Sequence, residues 1–509
     1  MHAACWTCRS RTIRCDQTSI PCAKCEKAGL ECFEQRPLRW VKGIAIRGKM
    51  RGRILGEGLK PSGEHLPAQP ERKEILHSRA KSSATNITPS FALQDPCIHS
   101  LDRSSRFYLD YYNIRITKLF ILYDSESNPF RSLLTYAMDN STLRKCIIAV
   151  SARHFANTGQ SFNQTDNTLS PLFVNANLDA LHFKRQTINA LLLSLSNPVP
   201  SQKDAIMATI LLLIFLDLLE SGIEGWKYHL HGAEGLINLS RSLSEPGASE
   251  YVNSKPGETI QETRRFVTRQ LSLVSTFGGA LSGSKSSPGF GTNPDESRNQ
   301  ESIIRSFLGC PVFLLGAIRY FSNQRHVIET LNMHDDLSIQ KHVRDTLTML
   351  ELTAKFDCLE WASKSVQSSV SSAGEIQKLS LLSEAYRTAA VLYGKRVLRA
   401  FKTSTETVAS DSEDLILRLL GVIGSLKCDP ALFKCLLWPS FITGLECQTH
   451  GEQQAVMGFL KMLWDLTFCL NVINASKILR DHWKRKDFDG NLASGKSDLN
   501  VIEQGWLLI

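Results

Sequence analysis

The sequence predicts an all-α protein, a small two-zinc, six-cysteine cluster module followed by a large all-helical domain. Three observations carry that reading. Six of the fourteen cysteines fall within the first 32 residues. From about residue 100 onward the apolar residues recur at the three- and four-residue spacing of helices. No stretch alternates apolar and polar residues for long enough to read as a strand. At 509 residues the chain is also too long for one ordinary core, so two or more domains are expected.

The cluster comes first. Its spacing is Cys5-x2-Cys8-x6-Cys15-x6-Cys22-x2-Cys25-x6-Cys32, which is the unit C-x2-C-x6-C written twice. Thiolate-rich sites favour Zn²⁺, which prefers four tetrahedral ligands. Three sulfurs per half leave each ion one short, and two adjacent ions both reach four if two sulfurs bridge them. Six thiolates around two Zn²⁺ ions carry a net charge near −2, which Arg9, Arg11, Arg14, Lys24 and Lys27 are placed to compensate. A disulfide framework would need an oxidising compartment. The opening MHAACWTCRSRTIRC lacks the apolar core of a secretory signal, so that framework is not expected. Iron–sulfur spacing of the C-x2-C-x2-C kind is absent.

Residues 5–32 resemble the fungal binuclear zinc-cluster (Zn2Cys6) family at all six cysteines. The resemblance implies that Cys5 and Cys22 bridge the metals, with Cys8, Cys15, Cys25 and Cys32 as the remaining ligands. It also implies that the helix entering the major groove of double-stranded DNA comes from Cys8-Arg9-Ser10-Arg11-Thr12-Ile13-Arg14-Cys15. Two departures stand out. The family's guanine-reading lysine is replaced by Thr12, which cannot make the same two-acceptor contact, so either Arg11 takes over the base reading, or the preferred half-site differs, or binding is weak. The loop proline, Pro21, directly precedes Cys22 rather than standing one place earlier.

Charge is concentrated beside the cluster. Residues 1–60 hold thirteen Lys and Arg against five Asp and Glu, a surplus of eight in a chain whose net charge is +9. A basic end on a near-neutral body points to a polyanion-binding module. After the cluster, residues 36–60 form a basic extension that opens RPLRWVKGIAIRGKMRGR. Its Arg36, Arg39, Lys42, Arg47, Lys49, Arg51 and Arg53 suit phosphate contacts and a nuclear-import signal. These residues join Arg9, Arg11, Thr12, Arg14 and Lys24 as the expected DNA-contacting set. The extension resembles the matching segment of a filamentous-fungal subfamily that includes the acriflavine-sensitivity control regulator. Residues 61–99 read as a polar, Pro- and Ser-containing disordered linker, and no heptad pattern follows the cluster.

Residues 100–509 form the helical domain. Tyr108, Tyr112, Ile116, Leu119 and Tyr123 keep helical rhythm after Ser104–Ser105. Leu143, Ile147, Val150 and His154 do so behind Asn140–Ser141. Leu178, Leu181, Ile188, Leu191 and Leu195 repeat the rhythm until Pro198 and Pro200. Further helices are expected near 203–220, 226–240, 261–276, 300–323, 337–364, 376–402, 411–425 and 452–480. Ala205–Leu219 reads as a central helix buried on all sides, since its aliphatic run is shorter than the roughly 20 residues of a membrane span. Residues 278–298 read as a flexible insertion. The stretches RFYLDYYN, SNPFRSLL and GWKYHLHGAEGLI resemble parts of the fungal-specific transcription factor domain, which implies a regulatory domain receiving effectors or partners.

No catalytic constellation emerges. His229 and His231 are two apart and so point to different faces of a helix. His154 on an apolar face reads as a core side chain. The stretch GGALSGSKS fails as a phosphate loop because its lysine is misplaced and no strand precedes it. The eight later cysteines lack C-x2-C pairs, and most read as buried thiols. Residues 410–420 read as an amphipathic core helix. The expected protein is therefore a nuclear, sequence-specific DNA-binding regulator with two Zn²⁺ ions per chain. Its expected partners are double-stranded DNA and either a second copy or transcriptional co-regulators, with no membrane. The alternative is a zinc-cluster protein recruited by partners without reading bases itself.

Overall fold

Two five-residue helices, α1 (Trp6–Ser10) and α2 (Ala23–Lys27), build the first of two units, Met1–Pro89 and Ser90–Ile509. The structure, a computed structural model, describes residues 4–16, 19, 21–33, 101–163, 170–196, 202–223, 225–242, 258–282, 306–330, 336–366, 372–401, 412–489 and 505–509. The basic extension and the linker therefore lie outside the described residues.

The second unit opens with α3 (Arg103–Tyr111), whose cap is Asp102, two residues before the first of the expected serines. Its carboxylate accepts the Ser105 backbone N–H at 2.7 Å. A π turn over Tyr112–Ile116 widens the helix by one residue and keeps Tyr108, Tyr112 and Ile116 all buried. In α4 (Pro129–Asp139), Pro129 occupies the first turn, where its missing N–H costs nothing. Asn140 caps α5 (Ser141–Asn157) through the Leu143 N–H, as its sequence signal predicts.

The next helix, α6 (Pro171–Ser196), contains the whole of the expected Leu178–Leu195 rhythm. Of its five rhythmic apolar residues only Leu191 is buried, whereas Leu178, Leu181 and Leu195 face solvent. The inward face is instead Ala176, Ala180, Thr187 and Leu191. Polar ties select it. Lys184 reaches Asp217 at 2.9 Å and Glu220 at 2.6 Å, and Tyr108 donates to Asp179 at 2.8 Å. Both carboxylates that Lys184 meets belong to α7 (Lys203–Glu220), in which every residue from Ala205 to Leu219 is buried, as expected. Phe120 stacks on Phe215 of this helix with centroids 4.1 Å apart.

The rest of the unit wraps around that centre as α8 (Gly225–Ser242), α9 (Glu258–Ser282), α10 (Val312–Thr330), α11 (Asp336–Ala354), α12 (Cys358–Val366) and α13 (Ala373–Ala400). It closes with α14 (Ser412–Ser425), α15 (Pro430–Phe433), α16 (Leu437–Glu446), α17 (His450–Thr467) and α18 (Leu470–Asp489). Two expected helices are each two. The 337–364 segment breaks between α11 and α12, where Asp357 accepts the Leu359 and Glu360 N–H groups. The 452–480 segment breaks at Phe468, held left-handed at φ 46°. Of the stretch expected from 300, residues 300–305 lie outside the described residues, 306–311 are not helical, and the helix runs from Val312. Gly278–Ser282, expected to open a flexible insertion, instead finish α9, with Gly278 against the Trp226 ring. Residues 283–298 lie outside the described residues. Ile416, Leu419 and Ile423 of α14 are buried, so that acidic, aliphatic stretch is a core helix.

Among the described residues there is no strand, only an isolated antiparallel bridge between Ile223 and Trp506. None of the described helices is long and apolar enough to cross a membrane. His154 is a core residue. It meets the Tyr111 hydroxyl at 2.9 Å, and desolvation, then the charge of Arg115, lowers its pKa to about 4. Cys146, Cys310, Cys358, Cys435, Cys447 and Cys469 are buried and Cys428 is exposed, while Cys97 lies outside the described residues.

Candidate zinc-cluster DNA interface

The repeat in the sequence becomes a repeat in the backbone. Cys5 is the N-cap of α1 and Cys22 the N-cap of α2, both in extended conformation. The second cysteine of each half, Cys8 and Cys25, then follows within the helix and points to the same side. Each helix ends in the same double-bonded turn. After α1, the Thr12 N–H donates to the Arg9 carbonyl and the Ile13 N–H to the Cys8 carbonyl. After α2, Gly29 donates to Glu26 and Leu30 to Cys25. This is the Schellman ending, whose pivotal residue is left-handed and usually glycine. Gly29 has φ 62°, and Thr12 stands at the equivalent place with φ 57°.

The turn shortens the expected reading helix. Helix α1 stops at Ser10, Arg11 is its C-cap, and Arg14 lies in the segment that brings Cys15 back to the cluster. A helix continued to Arg14 would carry Cys15 away from the other sulfurs. The described DNA-contact candidates Arg9, Arg11, Thr12, Arg14 and Lys24 are all exposed. Lys24 also donates to the Arg14 carbonyl at 2.6 Å, which ties the two halves together. The remaining candidates, Arg36, Arg39, Lys42, Arg47, Lys49, Arg51 and Arg53, lie outside the described residues.

The six sulfurs form two overlapping sets of four, Cys5/Cys8/Cys15/Cys22 and Cys5/Cys22/Cys25/Cys32. Within each set all sulfurs lie within 4.8 Å of one another. Only Cys5 and Cys22 belong to both sets, the arrangement that two bridging sulfurs require. The Cys5–Cys22 and Cys8–Cys22 separations are 3.8 and 3.6 Å. A zinc–sulfur bond of about 2.3 Å gives a tetrahedral edge of about 3.8 Å, so the donor set fits the ion. Such spacing is far beyond the roughly 2.05 Å of a disulfide. Without positive charge the Cys5 and Cys22 pKa values are still lowered, Cys22 first by the Cys25 backbone N–H, but desolvation with the Cys5 and Cys22 sulfurs alongside pushes the Cys8 thiol up to about 12. Two dications reverse that balance, and acid therefore competes with the metal.

Sequence reasoning missed the residues that close the module. The Thr7 hydroxyl donates to the Glu31 carbonyl at 2.8 Å and accepts the Phe33 N–H at 3.1 Å. Asp16 accepts the Ala23 N–H at 2.8 Å, steadying the start of α2. Neither residue carries a metal-ligand or capping signature that spacing alone would expose.

Replacing Thr12 by glycine is expected to tighten zinc retention against a competing chelator by about fivefold. A left-handed β-branched residue costs roughly 1–2 kcal/mol, which glycine removes. An unchanged chelator midpoint would mean that the turn holds no strain.

A stiff sulfur-caged turn bearing exposed arginines, joined to an all-helical unit, defines a zinc-dependent DNA-binding regulator of transcription. The chain belongs to the family with the fungal specific transcription factor domain, which matches residues 107–507. Residues 3–40 match the fungal Zn(2)-Cys(6) binuclear cluster domain, and the cluster binds two zinc ions. The acriflavine sensitivity control protein acr-2 of Neurospora crassa is 22% identical over 458 residues, covering 86% of this chain and 72% of that protein. No solved structure matches. The chain is not an enzyme, in keeping with both families.

Proposed function

We propose that the protein is a sequence-specific regulator of RNA polymerase II transcription that acts in the nucleus. Its division is a DNA-binding module over 1–35, a basic extension over 36–60, a linker over 61–99 and a regulatory domain over 100–509. The observation that carries the reading is the exposed Arg11 at the end of α1, just outside a sulfur cage that fixes its backbone. Cys5 and Cys22 bridge the two ions, and Cys8, Cys15, Cys25 and Cys32 complete them. Arg11 reads base edges. Arg9, Arg14, Lys24 and the extension's Arg36, Arg39, Lys42, Arg47, Lys49, Arg51 and Arg53 hold phosphates. The likeness to a protein named for acriflavine sensitivity supports control of a metabolic, secondary-metabolite or drug-tolerance pathway. Double-stranded DNA is the partner, with a second copy or co-regulators engaging the helical domain.

One observation favours a second reading. Thr12 turns left-handed and has no charge to offer guanine, which suits a module recruited by partners rather than by bases. Binding-site selection with the zinc-loaded full chain separates the two. Arg11→Ala is expected to weaken selected sites by about tenfold or more while sparing random DNA, as loss of a base contact worth roughly 1–3 kcal/mol implies. Thr12→Lys is expected to shift selection toward CGG-containing sites. Equal loss on all DNA would make Arg11 a phosphate contact, and failure to enrich any sequence would favour recruitment.

A further inference from the structure

The face that α6 turns away from the core is a continuous apolar seam. Val174, Leu178, Leu181, Ile188, Leu192 and Leu195 follow one another at steps of four and three residues, with Arg185 filling the gap in the middle. Leu178 and Leu192 are 58% and 59% exposed, and only Ile188 is partly covered. This is the 3.5-residue period of a helix-pairing seam, not the wider stripe of a core helix. The inner face is already satisfied by its alanines, Leu191 and the Lys184 ion pairs.

We propose that this seam is a self-association surface, through which two copies of the chain pair with their α6 helices antiparallel. The pattern reads nearly the same in both directions about Arg185. Apolar residues stand 4, 7 and 11 places before it and 3, 7 and 10 places after it. A seam that maps onto itself on reversal is what a two-fold interface needs. In the antiparallel pair Leu178 meets Leu195 of the second copy, and Leu181 meets Leu192. Arg185 meets Ile188, so the two guanidinium groups occupy different layers and extend past the seam to water. The exposed rim beside the seam is Asn175, His182, Asn189 and Ser196. It carries no fixed charge to repel an identical helix or to select an oppositely charged one.

The area sets the strength. The 26-residue helix is about 39 Å long and offers about 400 Å² per copy along the seam. That is about 800 Å² in total, short of the roughly 1,200–2,000 Å² of a stable complex. An interface of that size is of the weak, reversible class rather than the obligate one.

Sedimentation of the zinc-loaded full chain without DNA, from roughly 1 to 100 µM, tests this over the range where such a dimer dissociates. Without DNA, the outcome is independent of whether the cluster reads bases. The wild type is expected to shift from monomer to dimer across that range. Leu178→Glu and Leu192→Glu should each weaken the dimer by about tenfold or more, as burying an unpaired charge implies. Arg185→Leu should tighten it, whereas a seam built for an acidic partner would gain no self-affinity. All three positions are exposed, so melting monitored by circular dichroism should stay at the wild-type temperature and separate misfolding from lost association. A wild type that stays monomeric throughout overturns the proposal, whether the seam is then covered by a foreign helix or by another segment of this chain. Dimerisation that is indifferent to all three substitutions overturns it equally, by placing the contact elsewhere.

Discussion

Replacing Cys22 by alanine is expected to release both zinc ions, whereas replacing Cys15 by alanine releases one. Cys22 belongs to both four-sulfur sets, but Cys15 belongs only to the set with Cys5, Cys8 and Cys22. Removing Cys15 leaves Cys5, Cys22, Cys25 and Cys32 as a complete tetrahedron around the second ion. Structural zinc in small modules contributes about 10–16 kcal/mol of folding free energy, so a module without either ion does not fold. Specific DNA binding by the Cys22 variant should therefore fall to background. Zinc per chain, measured by atomic absorption after gel filtration, reads the difference directly. Equal loss from the two variants would show that Cys22 is not shared.

Deleting Gly505–Ile509 is the second large effect, and it acts on the helical unit alone. These residues cross the seam between the end of α7 and the start of α18. The Trp226 indole N–H donates to the Gly505 carbonyl at 2.9 Å, and the Leu507 N–H to the Gly222 carbonyl at 2.8 Å. Leu507 and Leu508 are fully buried. Gly222, at φ 72°, permits the approach, since a Cβ there would stand 3.0 Å from the Leu507 carbonyl oxygen. Burial of two leucines contributes about 1.5–3 kcal/mol each, and an orphaned indole N–H costs about 1–3 kcal/mol more. The deletion should lower the melting temperature by about 5–10 °C, given that 1 kcal/mol shifts a large domain by only a degree or two. A change too small to resolve would mean that the tail contributes no stability.

The metal-binding cage and the central helix were legible in the sequence for the same reason: each rests on a local pattern. Six cysteines at repeated spacing define their own geometry, and the run Ala205–Leu216, interrupted only by Thr209, leaves no polar face to expose. Helix α6 shows where such reading stops. Its leucine rhythm marks a helix correctly but cannot say which face turns inward. That choice was made by Lys184, Asp179 and two alanines through partners in distant segments. The same limit explains the divided helices at Phe468 and Asp357, where a single residue's backbone angle or side-chain cap outweighs continued apolar periodicity. The Thr12 turn was hidden differently. The sequence showed an unusual residue, but only the parallel with Gly29 showed that the position is defined by backbone handedness.

The Thr7 clamp also determines where the rest of the chain departs. Trp6 donates its N–H to the Phe33 carbonyl, and Thr7 holds Phe33 from the other side. Position 33 is thereby tethered next to the beginning of α1, roughly 7 Å of helix away from its arginine tip. The chain therefore leaves the module beside the first residue of α1, at the opposite end of that helix from Arg11.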